Sequence, residues 1–394
     1  MHRKTRKLLI LCSFLCQQQI CLAQDAYNYV FKNGLEGYAC YRIPAIIKAP
    51  NGNFLAFAEA RKKDCNDFGD IDLVMKKSSD DGRSWGPLEV IVDNQLQKSG
   101  DPAPVVDFLD PAYPGGRIFL LYINGSASEN DVLNQRGVRE VLYVTSIDNG
   151  KSWADPVNIT LQVHRPNLPA VNPAFSFADD WRTVANTPGH GMQFTKGKYR
   201  GRIYIAANHS AGPRPGNSYD NYRAHGYYSD DHGKTWNITP NVSIPGGNES
   251  TAAELSDGSL LQNIRHQNKQ GKYRILAKSS SAGNVWDTSY ISHELPEPVC
   301  EGSMISVVYR KKFYVLFSNP KDQNARKNMT ITVSDDDGAS WRHAMLVDAG
   351  AAAYSDLVQM KKGNIGILYE RGNTGGIVFK KYTMKEILKS TNKQ

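Results

Sequence analysis

Apolar and polar positions along the chain fall into short apolar runs, without the three-and-four spacing of long amphipathic helices. The runs at 118–122 (IFLLY), 141–145 (VLYVT), 203–207 (IYIAA), 273–277 (YRILA), 313–317 (FYVLF), 329–333 (MTITV) and 365–369 (IGILY) are rich in β-branched and aromatic residues. That composition suits strands. Only the tail, 384–390, reads as a helix. The pattern predicts an all-β protein.

The strands are punctuated by a recurring octapeptide. It reads SSDDGRSW at 78–85, SIDNGKSW at 146–153, SDDHGKTW at 229–236 and SDDDGASW at 334–341. A worn copy, SSSAGNVW at 279–286, has Ser in place of Asp. This is hairpin-turn chemistry: the Asp carboxylate accepts from turn amides, Gly permits a positive φ, and Trp packs back on the sheet. The copies start 68, 83, 50 and 55 residues apart. Units of that size, each built of several short strands, suit propeller blades. Roughly 370 residues at about 60 per unit predict a six-bladed β-propeller of four-stranded antiparallel sheets. Because the turn recurs around the ring, its Asp residues read as structural and not catalytic.

The N-terminus changes the charge picture. Arg3, Lys4, Arg6 and Lys7 precede a short apolar run, 8–16, and Cys21-Leu22-Ala23 offers a small-residue cleavage site. Residues 1–23 therefore read as a cleaved export signal, with 24–394 as one domain that is secreted or periplasmic. Four of the +8 formal charges lie in that segment, which leaves about +4. No basic run suggests nucleic-acid binding, and no later apolar run is long enough to span a bilayer. Mild positive charge favours the approach of an anion. Beyond the signal remain Cys40, Cys65 and Cys300, so at least one thiol is free. Cys40 and Cys65 are candidates for a bridge that the sequence alone leaves open. No Cys/His spacing reads as a metal site.

Tyr41-Arg42-Ile43-Pro44, followed by the repeated turns, resembles the Arg-Ile-Pro signature and Asp boxes of exo-sialidases, from Tyr41 to Gly372. The resemblance implies hydrolysis of terminal sialic acid from glycoconjugates, by a monomer that uses neither metal nor organic cofactor. Sialic acid carries a carboxylate on its anomeric carbon, and the arginine fork pairs bidentately with carboxylate. The family uses three such arginines, matched here by Arg42, Arg265 (in LLQNIR, 260–265) and Arg326, with Lys327 as the alternative to the last. Sialidases use a Tyr nucleophile; Tyr354, in AAAYSD (351–356), resembles it, and Glu249 resembles the base beside it. The acid/base residue falls in the acidic loop after Glu59-Ala60-Arg61, where Asp67 has the better spacing and Asp64 is the alternative. Arg61 and Asp101 resemble contacts to the 4-hydroxyl, and Glu370 resembles the carboxylate that orients the first arginine. The loop 211–221 is the expected rim of the site.

A trans-sialidase would share this set and pass the sugar to an acceptor. A non-catalytic sialic-acid lectin would keep the arginines but have no need of Tyr354, Glu249 and Asp67 together.

Overall fold

The computed structural model describes residues 27–212, 219–268 and 272–390. The segment 1–23, expected to be an export signal, and most of the loop 211–221, expected to be the rim, lie outside them. Every strand-like run becomes part of a strand. The run 141–145 lies in Arg139–Ser146, 313–317 in Lys312–Pro320 and 365–369 in Asn364–Glu370. The tail forms the helix Met384–Lys389, opened by Thr383 and Glu386 in a reciprocal cap. Three short helical pieces, Glu129–Leu133, Thr160–Val163 and Gly372–Gly375, and a 3-10 turn, Lys361–Gly363, escape the sequence pattern because each is too short to show periodicity. Among the described residues no helix is long and apolar enough to cross a membrane.

The strands build a β-propeller, but not of six four-stranded blades. Four blades are discrete. Three have four strands; the fourth has five, because Met192–Gln193 pairs as an extra strand with Ile203–Ala211. The remaining strands form one continuous eight-stranded sheet. A single parallel pair, Ile71 with Lys98, joins strand Ile71–Ser78 to strand Lys98–Asp107 and fuses what repeat spacing had divided in two. The ring closes where strand Tyr29–Lys32 pairs with Gly376–Thr383, so the first and last strands among the described residues share one blade.

The octapeptide turns join neighbouring elements of the ring. Asp80 accepts from the backbone N–H of Arg83 (3.0 Å) and Ser84 (2.9 Å) and from the Ser84 hydroxyl (2.6 Å). Asp148, Asp231 and Asp336 hold their hydroxyl partners in the same way. In the worn copy the Ser281 hydroxyl accepts the Val285 N–H at 2.9 Å and so replaces the missing carboxylate. Gly82 has φ 75°, and a Cβ there would lie 2.2 Å from Phe379; at Gly233 (φ 82°) it would lie 2.5 Å from Phe119. Both rings belong to the preceding element of the propeller, so glycine is required for the turn and for close packing. Trp85 and Trp236 pack edge-on against the same two rings. Trp85 thus grips the neighbouring element, Trp341 packs on Phe317 of its own sheet as expected, and Trp236 does both, its ring also lying against Tyr227.

The five-stranded blade buries a histidine cluster. Trp181 stacks on His209 at 3.5 Å, and His209 Nδ1 lies 3.2 Å from His225 Nδ1. Both nitrogens of the fully buried His164 lack a partner among the described residues. Burial pushes His164 and His225 down to about 3 and His209 well below the usual range. Histidines that fold in the neutral form bind fewer protons than in the unfolded chain. Their stability contribution is whole above about pH 6.5 and is lost as the pH falls from there toward 3. Each unit of realised shift corresponds to about 1.4 kcal/mol. The melting temperature should therefore fall from pH 7 to pH 4, and His164→Phe should flatten that decline; an equally steep decline in the variant would refute this origin.

Candidate active site

Strands that line the axis of the propeller bulge where they reach one face. In strand Cys40–Lys48 the register with its neighbour slips between Arg42 and Ala45, and Ile43 takes φ 58°. In Lys98–Asp107 it slips between Gly100 and Ala103, with Asp101 at φ 52°. In Gly247–Glu254 the slip spans Glu249. Bulges re-aim side chains, and a β-branched residue at positive φ persists only where its surroundings hold it. Here a buried carboxylate does so: Glu370 accepts the Ile43 N–H at 2.8 Å, and Glu59 accepts the Asp101 N–H at 3.0 Å.

The bulges open into a cavity of about 670 Å³. Arg42, Arg61, Asp67, Asp101, Glu249, Arg265, Arg326 and Tyr354 all line it. Glu370 lies behind Arg42 and accepts its guanidinium at 3.2 Å. The two alternative candidates are engaged elsewhere. Asp64 accepts the Asn66 N–H and side-chain amide at 2.8 Å within its own loop, and Lys327 pairs with Asp322 at 3.4 Å. Neither lines the cavity.

Tyr354 stands among three guanidinium groups. Its hydroxyl donates to Glu249 Oε1 at 2.5 Å and accepts from Arg265 at 3.0 Å, while Arg265 also pairs with the other Glu249 oxygen. Arg42 and Arg326 lie 5.1 and 5.5 Å from the centre of its ring. Burial and the Glu249 carboxylate push the phenol well above its ordinary value, against the pull of Arg265, Arg326 and Arg42. Tyr354 is therefore a neutral phenol whose proton points at a base. Among the described residues no carboxylate pairs with Arg326, and Arg265 Nε has no partner, so the cluster retains capacity for an anion.

Asp67 extends from the opposite loop, its side chain 77% exposed, and accepts from Arg61 at 2.8 Å and Arg42 at 3.2 Å. Desolvation raises its pKa, but Arg61 and Arg42 outweigh that and hold it below the usual carboxylate range. Asp101 differs: burial pushes it up to about 6, with Lys98 opposing and Glu59 adding to the rise. A bridge between Cys40 and Cys65 anchors the Asp67 loop, and Arg61 donates to the Cys65 carbonyl at 2.5 Å. Closing a segment of 25 residues contributes about 3 kcal/mol. The double variant Cys40→Ala/Cys65→Ala should lose about that much in urea unfolding.

Several participants were missed. Glu59, fully buried, pairs with Arg61 at 2.6 Å and Lys98 at 3.3 Å; its signal was a lone carboxylate inside the apolar run 54–60. Asp356, beneath Tyr354, accepts from Ile46 N–H (2.7 Å), the Ser303 hydroxyl (2.7 Å) and His190 Nδ1 (2.6 Å), tying three sheet regions together. The free Cys300 is buried beside Ile43, Ala353 and Tyr354. Glu129, Arg139 and Tyr222 line the far wall and gave no motif. Away from the cavity, Asp107, Asp110 and His232 converge within reach of a common metal ion. Arg117 pairs with Asp110 there, and His232 with Asp107, both at 2.8 Å.

The BNR repeat-like domain model matches residues 52–367. The chain belongs to that family. Among BNR repeat-like relatives, a sialidase of Micromonospora viridifaciens is 31% identical over 360 residues, covering 86% of this chain and 51% of that protein. A sialidase of Bacteroides fragilis is 27% identical, covering 90% and 64%. The chain thus spans between about half and two thirds of these two relatives. An exo-alpha-sialidase of Aspergillus fumigatus is 28% identical, covering 90% and 87%. Among solved structures, the Hadza microbial sialidase Hz136 superposes with a TM-score of 0.75 at 26% identity, covering 89% of this chain and 67% of that one. The intramolecular trans-sialidase of Ruminococcus gnavus superposes at 0.73 with 16% identity, covering 91% and 98%, a likeness of fold alone.

Proposed function

We propose that this BNR repeat-like protein is a secreted exo-alpha-sialidase that acts with retention through a tyrosyl intermediate, and that its octapeptide turns are Asp boxes. The observation that carries the reading is Tyr354 donating to Glu249 at 2.5 Å inside a ring of three guanidinium groups. An anionic nucleophile would be repelled by a substrate carboxylate; a neutral phenol that loses its proton only during attack is not.

In the first step the sialic acid carboxylate is held by Arg42, Arg265 and Arg326. It competes with Asp67 for Arg42, and loss of that partner raises the affinity of Asp67 for a proton. Tyr354 gives its proton to Glu249 as its oxygen bonds to the anomeric carbon, and protonated Asp67 delivers its proton to the departing glycosidic oxygen. In the second step Asp67 takes a proton from water, which attacks the anomeric carbon from the vacated face. The bond to Tyr354 breaks and its oxygen recovers the proton from Glu249. Two inversions give net retention.

Incubation of the chain with 4-methylumbelliferyl α-sialoside, followed by NMR, tests this. α-Sialic acid should be the first sugar released. The β-anomer as first product would overturn retention. An anhydro sugar would identify an intramolecular trans-sialidase, and binding without turnover a lectin.

A further inference from the structure

The strands that bring the catalytic candidates to one face line a second cavity at their other ends. Strand Cys40–Lys48 runs from Arg42 to Ile46, and Lys98–Asp107 runs from Asp101 to Val105. Leu357, on Ser355–Gln359, follows Tyr354 in the same way. At about 3.3 Å per residue, each strand travels roughly 10–13 Å between the two cavities. The cavities share no lining residue. Between them lies Asp356, fully buried, which accepts the Ile46 N–H at 2.7 Å and pairs with His190 Nδ1 at 2.6 Å. His190 lines the second cavity. No step of the proposed reaction uses this end of the axis.

The second cavity measures about 320 Å³, at the small end of the range for ligand sites. Its walls are mostly apolar: Ile46, Val105, Ile305 and Leu357 come from four different strands, and Phe108, 57% exposed, stands at the mouth. Such walls gain when a hydrocarbon replaces the water against them. The charges are one-sided. Lys48 and Arg200 line the cavity, and no Asp or Glu does. Neither cation pairs with a carboxylate among the described residues. The carboxylates next in sequence to the lining, Asp107 and Asp356, are fully buried, and each is engaged by a histidine, at 2.8 and 2.6 Å. Apolar walls beside two unpaired cations complement an amphiphilic anion, with its hydrocarbon inside and its carboxylate toward Lys48 and Arg200. We infer that this end of the propeller axis is a binding site for a medium-chain carboxylate, separate from the sugar site and independent of the sialidase reading.

Titration calorimetry of the full chain at neutral pH, with octanoate, hexanoate and 1-octanol, tests this. Octanoate should bind at a single site. Hexanoate should bind about tenfold more weakly, because it buries two fewer methylenes. The uncharged 1-octanol should bind about threefold to fivefold more weakly, the scale of an exposed ion pair. The double variant Lys48→Glu/Arg200→Glu should reverse the preference between octanoate and 1-octanol while 1-octanol still binds. If that variant fails to fold, Lys48→Gln/Arg200→Gln removes the charges and should abolish the preference. Phe108→Asp, at the mouth, should weaken both eight-carbon ligands and so locate the site. Absence of octanoate binding, equal affinity for hexanoate, a wild-type preference for 1-octanol, or a preference that the charge variants leave unchanged would each overturn the inference. None of these results bears on the turnover of a sialoside, which is measured separately.

Discussion

Tyr354→Phe should abolish turnover of an aryl sialoside, with a fall in kcat of at least about 10³-fold, while sialic acid still binds. Removal of the hydroxyl deletes the nucleophile but leaves the arginines in place. The phenol contributes one contact to Arg265, at 3.0 Å, whereas Arg265 keeps its pairing with Glu249. Affinity for the carboxylate should therefore change little. Titration calorimetry with free sialic acid, run beside the rate assay, separates the two quantities. A variant that turns over like wild type would remove Tyr354 from the chemistry. A variant that neither binds nor turns over would make the hydroxyl a positioning element for Arg265.

Asp67→Asn should act in a different way, because its effect depends on the leaving group. With a sugar as leaving group, the loss of proton donation should lower kcat/KM by about 10²–10⁴-fold. With 4-methylumbelliferone, whose oxygen departs without full protonation, the first step should suffer much less and the second step should limit the rate. Burst kinetics on the aryl substrate would then expose accumulation of the tyrosyl intermediate. Equal losses on both substrates would argue that Asp67 chiefly holds Arg61 and Arg42 in position, as its contacts at 2.8 and 3.2 Å also permit. Asp64→Asn, which removes a carboxylate engaged with its own loop, provides the comparison.

The sequence disclosed much of this site, for identifiable reasons. Tyr354, Arg42 and Arg265 stand in short distinctive contexts, and the octapeptide announces its turn through residue types that the geometry demands. Strand Lys98–Asp107 shows the opposite case. Pro102 and Pro104 interrupt any strand pattern, yet the segment is buried throughout and paired on both sides of its bulge. Asp101, ahead of Pro102, also carries the signal of an ordinary turn residue. The blade count failed at a single bridge: the Ile71–Lys98 pairing depends on how two adjacent units meet, and no spacing of turns encodes that. Glu129, Arg139 and Tyr222 were invisible because three separate segments bring them together, each without a local motif.

The shared closing blade has a consequence for when the protein can work. Glu370 grips Arg42 and the Ile43 N–H across 328 and 327 positions of sequence, from within the blade where the first described strand meets the last. A growing polypeptide therefore holds Arg42 long before it has a Tyr354 or Glu370 to set against it. Fragments that lack either strand Cys40–Lys48 or the segment 354–370 cannot assemble the centre, whatever stable blades they contain. Activity should emerge all at once with ring closure, so the appearance of turnover during refolding reports the last topological step.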